Sequence, residues 1–494
     1  MKLRLGAASS GVSKVATVVL IMILVAGVSL GYVFLLGNQS KSCSTPAGTS
    51  GILKCQLQKT SFGAVTKYAL PSPDRDPNAI VVAPDGSVWF GEQALPGVGH
   101  LFPANGTFVE YTWPGNYGTQ SVGSGSTYKT DIWGIALWNG SVWGSDGGGN
   151  RLVGVDPSTG SVQSVNLSTK DSFPYTLTAG PENSLWFTEL DSSQVGRLFS
   201  NGSLREYPSP GKLPAQIVFK NATVGYLVAV GDPAKPLGHV YEFNPISAFS
   251  PHVVGGGEIL DSPDSVAVVP DGLGVIQHGP SQIMFYDFGT GNWNDYPTST
   301  VAYTNTALPY FAVGNGSLIW FNEHYGNRIG ELNLGAGTLT EYNEADPPPQ
   351  SGSAIDNTLT IALGKDRLWF TEWTANSIGY VDATFNPSFA ITLAGSSDVQ
   401  VREGEVVNLT LVVSGQSSKP LSLNFSDSET FTAVPHNMTV GIDPTGIQAL
   451  NGREDIKATI TPKPGSSAGN YTVAFTVTDG LVSQTVYVKL EVIT

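Results

Sequence analysis

Charged residues are scarce in this chain, and their scarcity limits the partners that it can bind. Only 13% of the 494 residues are Asp, Glu, Lys or Arg, and the formal net charge is −15. No run of Lys or Arg occurs beyond the extreme N-terminus, so a polyanion would be repelled. We therefore expect no nucleic-acid partner. The acidity itself is explained by the solubility of an extracellular surface.

Cysteine is scarcer still. The only two, Cys43 and Cys55, lack the His or further Cys residues that a zinc site would need. They lie in a Gly/Ser/Thr-rich segment, residues 38–61, which we interpret as a stalk. An even number of cysteines in an oxidising compartment favours one structural disulfide between them.

One long apolar run stands near the N-terminus. Val15 to Gly37 contains no charge, and as a helix it would span about 34 Å, enough to cross a bilayer. Lys2, Arg4 and Lys14 precede it, so residues 1–14 are predicted to be cytoplasmic and everything after the run to be outside. The run is longer than the core of a signal peptide. We therefore predict an uncleaved transmembrane helix over 15–37 and a single-pass protein of the cell membrane.

Asn-x-Ser/Thr sequons occur only after this run, as expected of a glycosylated outer surface. Four of the sequons are also Asn-Gly turns, which a hairpin alone would select. The sequons begin at Asn38, Asn105, Asn139, Asn166, Asn201, Asn221, Asn315, Asn408, Asn424, Asn437 and Asn470.

The remaining composition favours an all-β fold. The 58 glycines, 32 prolines and abundant Ser, Thr, Asn and aromatic residues suit short strands and tight turns. One unit recurs: SLWFTELDSSQVGRLFSNGSLREY begins at Ser184, and RLWFTEWTANSIGYVD and SLIWFNEHYGNRIGEL begin at Arg367 and Ser317. Its spacing of about 40 to 55 residues predicts propeller blades of four strands.

Aligning the chain on the second strand of this unit gives seven repeats. Their anchors are Trp89, Trp143, Trp186, Leu227, Val275, Trp320 and Trp369. The last repeat ends after its third strand, whereas Val65 to Pro71 resembles an isolated fourth strand. We therefore predict a seven-bladed β-propeller over 62–387 whose N-terminal strand completes the last blade.

The repeat stops after Pro387. Residues 388–494 contain alternating strand patterns separated by turns, without cysteine. This pattern predicts an immunoglobulin-like β-sandwich.

Polar residues end the predicted second strands and are expected at one mouth of the propeller. They are Glu92, Asp146, Glu189, His278, Glu323 followed by His324, and Glu372. Because a carboxylate recurs in most blades, we interpret Glu92, Asp146, Glu189 and Glu372 as structural, for example as acceptors of backbone N–H groups. His278 stands where a carboxylate is expected, and with His324 it is a candidate general base. Exposed loop histidines are the alternative.

The repeated WFTE-x-x-x-N-x-I-G pattern, at Trp369 and in close copies at Trp186 and Trp320, resembles the virginiamycin B lyase (streptogramin lyase) family of seven-bladed propellers over about residues 62–383. The resemblance implies an elimination reaction that opens a cyclic depsipeptide at its ester. In that family the reaction uses a magnesium ion and a histidine from one blade. The next blade supplies a Glu-x-His pair and a further Glu downstream. By position it implies His278 and His324 as catalytic residues and Glu323 and Glu341 as metal ligands, with Glu344 as the other candidate for the last position. This chain has Glu-His-Tyr in place of Glu-x-His.

Two functional hypotheses remain open. The first is a membrane-anchored extracellular lyase that acts on a cyclic ester or depsipeptide with Mg²⁺. The second is a non-catalytic cell-surface module that recognises small molecules, glycans or proteins. A gluconolactonase-type hydrolase is less favoured, because no metal-ligand set stands apart from the repeat.

Overall fold

The computed structural model describes residues 43–44, 52–71, 75–93, 97–113, 120–122, 126–128, 132–232, 234–235, 237–301, 307–346, 356–427 and 438–493. The predicted transmembrane helix over 15–37 and the cytoplasmic segment before it lie outside these residues. Within them, no helix has the length and hydrophobicity needed to cross a membrane.

Strands are the regular secondary structure of the described residues, apart from one 3-10 turn, which confirms the all-β prediction. The first strands along the chain are β1 (Cys43–Ser44), β2 (Ile52–Gln56), β3 (Lys59–Phe62), β4 (Val65–Ala69), β5 (Pro77–Val82), β6 (Val88–Glu92), β7 (Gly97–Phe102), β8 (Thr107–Thr112), β9 (Gln120–Val122) and β10 (Ser126–Tyr128). Blade 1 is built from β5 to β8, and β2 and β1 continue its outer edge. Among the described strands, β9 and β10 pair only with each other.

The next three blades follow in chain order. Blade 2 contains β11 (Ile132–Trp138), β12 (Ser141–Asp146), β13 (Arg151–Val155) and β14 (Val162–Asn166). Blade 3 contains β15 (Pro174–Gly180), β16 (Ser184–Glu189), β17 (Gln194–Phe199) and β18 (Leu204–Pro208). Blade 4 contains β19 (Pro214–Phe219), β20 (Gly225–Ala229), β21 (Leu237–Phe243), β22 (His252–Val253) and β23 (Leu260–Asp261), with a 3-10 turn at Gly255–Gly257.

Three further blades complete the set. Blade 5 contains β24 (Pro263–Val269), β25 (Gly272–Gln277), β26 (Gln282–Asp287) and β27 (Trp293–Pro297). Blade 6 contains β28 (Pro309–Asn315), β29 (Leu318–Glu323), β30 (Arg328–Asn333) and β31 (Thr338–Asn343). Blade 7 contains β32 (Thr358–Leu363), β33 (Arg367–Glu372) and β34 (Ser377–Asp382), which pairs with β4, and β4 in turn pairs with β3.

The seven blade sheets form a closed ring. Each inner strand packs against the inner strand of the next blade, and β32 packs against β5 to close the circle. This is the arrangement of a β-propeller. Each of the seven anchor residues lies on the second strand of its blade, and β4 supplies the fourth strand of blade 7.

Residues upstream of the predicted propeller boundary at 62 are part of the sheets. Strand β2 pairs with the outer strand β8, and Cys43 lies opposite Cys55 in the β1–β2 pair, where the two are joined by a disulfide. Cys55 is buried among Phe90, Phe108 and other residues of blade 1. The segment 38–61 is therefore not a separate stalk throughout, because its second half covers a sheet edge that would otherwise be exposed.

The recurring motif is explained by the way it builds and joins blades. A Cβ on Gly196 would lie 1.9 Å from the ring of Phe187, and one on Gly330 would lie 2.2 Å from Phe321. Only glycine therefore allows the Phe of the second strand to pack across the third strand.

The Asn of the motif joins neighbouring blades. Asn150, Asn327 and Asn376 adopt positive φ before the third strand, a conformation that Asn tolerates. Their side-chain oxygens accept N–H bonds from the entry to the following blade, for example from Asp356 to Asn327 at 2.6 Å.

The C-terminal residues form two further layers of strands. One sheet contains β35 (Phe389–Ala394), β37 (Val407–Ser417), β41 (Leu450–Pro462) and β39 (Met438–Asp443). The other contains β36 (Asp398–Arg402), β43 (Val482–Ile493), β42 (Gly469–Thr478), β38 (Leu421–Asp427) and β40 (Gly446–Ile447). Because β43 pairs with β31, this second sheet is continuous with blade 6.

Ring closure depends on a buried lysine that the N-terminal strand contributes. Lys67 of β4 forms ion pairs with Glu372 and Asp356 of blade 7. Although burial opposes its charge, these carboxylates raise the pKa of Lys67. Burial raises the pKa of Glu372 to about 7, against the opposing effect of Lys67.

Replacing Lys67 by methionine should therefore destabilise the propeller by about 3 kcal/mol or more, because buried carboxylates would lose their cation. Urea unfolding of the full chain measures this change, with Lys59→Met on the exposed strand β3 as the control. Equal stability of the two variants would contradict the proposed closure.

Candidate functional site

The recurring carboxylates point into the blades and not into a solvent-filled mouth. Glu92, Asp146, Glu189, Glu323 and Glu372 end the second strands, and all five are fully buried. Asp146 accepts hydrogen bonds from Gly149 N–H at 2.8 Å and from Arg151 Nε at 2.9 Å. These contacts hold the hairpin between the second and third strands, as expected of a structural role.

A cation accompanies most of these carboxylates. Glu323 Oε2 lies 2.5 Å from Arg328 Nε, and Glu372 faces Lys67. In blade 1, Glu92 lies beside Glu110, which forms an ion pair with Arg75 at 2.5 Å. Burial, with the neighbouring Glu110, raises the pKa of Glu92 well above its ordinary value.

The start of each inner strand carries a second ring of residues. The pairing between first and second strands shifts register there in all seven blades, which is the effect of a β-bulge. The residues at the shift are Asn78, Trp133, Tyr175, Ala215, Asp264, Tyr310 and Leu359. A bulge re-aims side chains, so these residues become candidates for the central channel.

In six of the seven blades, a backbone hydrogen bond within the described residues fixes the residue that follows the second strand. The residue before the inner strand has positive φ, for example 50° at Ser262 and 47° at Leu308. Its carbonyl accepts the N–H of His278 (3.0 Å) or His324 (2.9 Å). The same bond recurs from Gln93, Leu190, Val230 and Trp373, so the two histidines occupy equivalent positions in blades 5 and 6.

The register corrects one sequence prediction. Pro263 pairs with Gln277, and Pro309 pairs with Glu323. Gln277 therefore takes the carboxylate position in blade 5, and His278 is the following residue rather than the replacement of the carboxylate. Gln277 accepts a hydrogen bond from Gln282 at 2.7 Å, a neutral version of the Glu323–Arg328 contact.

Histidine and tyrosine side chains meet where these two rings come together. His278 Nδ1 lies 2.8 Å from Asp264 Oδ2, although the ring N–H is poorly aligned for a straight hydrogen bond. The Tyr310 ring lies 5.6 Å from that of His278 and 6.0 Å from that of His324. The Tyr310 hydroxyl contacts the hydroxyl of Tyr175. We call Asp264, His278, Tyr310, His324 and Tyr175 the mouth residues.

The Tyr175–Tyr310 contact spans the ring. Tyr175 belongs to blade 3 and Tyr310 to blade 6, so their hydroxyls meet across the central axis. Trp133 and Phe173 pack beside Tyr175, with ring centroids 5.5 to 6.5 Å apart. One side of the mouth is thus aromatic, and the other carries the imidazoles and a carboxylate.

The two imidazoles are held differently. His324 donates from Nδ1 to the carbonyl of Thr358 at 3.3 Å, which leaves Nε2 as an acceptor. Burial, reinforced by the nearby His278, lowers the pKa of His324 to about 4. His324 is therefore neutral at physiological pH, whereas the carboxylate of Asp264 lies beside Nδ1 of His278.

The residues assigned to magnesium do not fit a metal ion. The guanidinium of Arg328 contacts Glu323 and lies 3.4 Å from Glu341, and Ser299 also bonds Glu341. Glu344 accepts from Thr358 Oγ1 at 2.6 Å. A cation already stands between Glu323 and Glu341, and in the described part of the chain no three His, Cys, Asp or Glu side chains are grouped as metal ligands.

Sequence reasoning missed Asp264, Tyr310 and Tyr175. Each follows the proline that opens an inner strand, in Pro263-Asp, Pro309-Tyr and Pro174-Tyr. That shared position was the available signal.

Comparison with known proteins supports the fold. No protein-family model and no curated protein matches the sequence. Among solved structures, virginiamycin B lyase from Staphylococcus aureus is 20% identical with a TM-score of 0.51, over 64% of this chain and 98% of that one. A streptogramin B lyase is 22% identical with a TM-score of 0.52, over 64% and 96%. A catalytically inactive variant of the S. aureus enzyme, whose structure was solved with quinupristin, is 20% identical to this chain with a TM-score of 0.52. At these identities the likeness shows a propeller of this kind and nothing about activity.

The depressed pKa of His324 predicts a loss of stability in acid. A histidine with a lower pKa in the folded protein than its ordinary 6.5 stabilises the fold above pH 6.5, and this contribution is lost as pH falls towards 4. The expected loss is on the order of 2 kcal/mol. It should be smaller in His324→Gln and unchanged in His252→Gln, which alters an exposed histidine. Urea unfolding at a series of pH values compares them, and identical profiles for wild type and His324→Gln would refute the prediction.

Proposed function

We propose that the mouth residues bind a small cyclic ligand and that His278 removes a proton from it, so that the protein acts as a carbon–oxygen lyase on an ester. The observation that carries this proposal is the Asp264–His278 pair beside Tyr310 and neutral His324. A carboxylate that orients an imidazole is a common arrangement for a general base. The reaction type is taken from the resemblance of the repeated motif to the virginiamycin B lyase family, and the propeller fold shared with that lyase is compatible with it.

The proposed step uses only groups of this chain. With Nδ1 of His278 towards Asp264, Nε2 is the nitrogen that takes a proton from the carbon next to the C–O bond. The electrons of that C–H bond form a C=C bond, the C–O bond breaks, and the ester leaves as a carboxylate. Neutral His324 and Tyr310 lie close enough to His278 to contact the same ligand. No step is assigned to magnesium, because Arg328 holds the predicted ligands.

A second candidate function is recognition without catalysis. The specific observation that favours it is the engagement of Glu323 and Glu341 by Arg328, which removes the metal set implied by the family resemblance. The aromatic side of the mouth would then bind the ligand on its own.

We place this propeller outside the cell. The uncharged run over 15–37 supports a membrane anchor, and the sequons after it support an outer surface. The two layers of strands after residue 388 support an immunoglobulin-like sandwich. In that setting the ligand reaches the mouth from the extracellular medium.

Quinupristin is the first probe to use, because the inactive virginiamycin B lyase was crystallised with it. We expect the full chain in detergent to open quinupristin, as measured by mass spectrometry with and without Mg²⁺. Asp264→Asn should lower kcat about 100-fold with little change in KM, since it disturbs only the base. His278→Gln should remove the activity.

Binding without turnover in wild type would favour recognition, and neither binding nor turnover would reject quinupristin as a ligand class. Asp398→Asn, which alters an exposed residue of the C-terminal strands, is the control and should behave as wild type. Turnover that survives in His278→Gln would overturn the assignment of the base.

A further inference from the structure

Blade 3 differs from the other blades in what lies beside its second-strand carboxylate. Arg151 accompanies Asp146, Arg328 accompanies Glu323, and Lys67 accompanies Glu372. Blade 1 has Arg75 at the Glu92–Glu110 pair. Within the described chain, Glu189 of blade 3 has no such basic partner; it has Glu206 as its charged neighbour.

The strand register identifies the residue that replaces the missing cation. Asp146 pairs with Arg151, Glu323 pairs with Arg328, and Glu189 pairs with Gln194. Glu206 lies opposite Gly196, as Glu341 lies opposite Gly330. Blade 3 therefore keeps both carboxylates of blade 6 but has a neutral amide where blade 6 has a guanidinium.

One oxygen of Glu189 has no hydrogen-bond partner, although the residue is fully buried. Its Oε2 accepts from Ser192 Oγ at 3.1 Å, whereas no donor of the described chain is aligned with Oε1. The Ser172 hydroxyl is near enough to interact with Glu189, but it is directed to Asn150 at 2.9 Å. A buried carboxylate in this state is costly unless a charge or a proton compensates it.

The other polar side-chain groups around Glu189 and Glu206 also offer oxygen atoms as potential metal ligands. Thr169 Oγ1 lies 3.2 Å from Gln194 Oε1 and 3.5 Å from Glu206 Oε2. Glu206 Oε1 accepts the N–H groups of Ser168 and Thr169 at 3.1 and 3.4 Å, which fixes its orientation. Carboxylate, hydroxyl and amide oxygens are the ligands of hard divalent cations.

We propose that a hard divalent cation of the Ca²⁺ or Mg²⁺ class binds between Glu189 and Glu206, where blade 6 places the guanidinium of Arg328. The two carboxylates supply the charge, Ser192, Thr169 and Gln194 offer neutral oxygens, and water completes the coordination. The ion has a structural role, because Glu189 pairs with Pro174 at the start of the strand that carries Tyr175. The site is separate from the proposed reaction of His278, and either can hold without the other.

Metal-dependent stability of the full chain tests this site. After treatment with EDTA, Ca²⁺ and Mg²⁺ are titrated separately at constant ionic strength while the unfolding midpoint is followed. Saturating cation should raise the midpoint of wild type by about 2 °C or more. Equilibrium dialysis should detect a bound ion that Glu189→Gln lacks.

Gln194→Arg is the decisive variant, because it restores the guanidinium found in blades 2 and 6. It should have a higher midpoint than wild type without metal, and it should lose both the metal response and the bound ion. Glu182→Gln, which alters a half-exposed carboxylate of the same blade, should respond as wild type. The proposal would be overturned if neither cation changes the unfolding midpoint of wild type, or if the metal response persists in Gln194→Arg.

Discussion

The structure depends on the neutralisation of carboxylates that are buried at the ends of the second strands. A fully buried charge must have a partner, because desolvation would otherwise cost several kcal/mol. Four blades meet this requirement with an arginine or lysine drawn from one of three places: Arg151 and Arg328 from the third strand, Arg75 from an entry loop, and Lys67 from the N-terminal strand. The same requirement explains why Lys67 accompanies the closing strand of blade 7 and why Arg328 lies between Glu323 and Glu341, and it supports the cation proposed in blade 3.

A second constraint, the backbone geometry where each inner strand begins, positions the mouth residues. In six of the seven blades, a residue with positive φ before the inner strand accepts the N–H that follows the second strand, as Ser262 does for His278 and Leu308 for His324. The bulge beside it places Asp264 and Tyr310 next to those histidines. Adjacent residues at the end of a second strand therefore have different positions. The carboxylate is buried inside the blade, and the residue that follows it lies at the mouth.

The sequence was sufficient for the repeat and insufficient for the direction of single side chains. Trp186, Trp320 and Trp369 mark second strands because large apolar residues at a fixed spacing have one structural explanation, and all three lie there. The prediction that His278 occupies the carboxylate position was wrong by one residue. Gln277 occupies that position, and because it is uncharged the repeated carboxylate pattern does not identify it. The contact of Tyr175 with Tyr310 joins residues 135 apart across the ring, and no local pattern encodes it. Nor does the sequence tell that Arg328 lies between Glu323 and Glu341.

Charges inside the blades hold the fold, whereas charges at the mouth have the ligand-binding role proposed above. The most direct measurement compares the unfolding midpoints of Arg328→Met and Asp264→Asn at neutral pH. Loss of Arg328 leaves two buried carboxylates without a cation, so its midpoint should fall by several degrees. Loss of Asp264 leaves an imidazole that can be neutral, so its midpoint should stay within about 1 °C of wild type. A larger loss of stability in Asp264→Asn than in Arg328→Met would contradict this account.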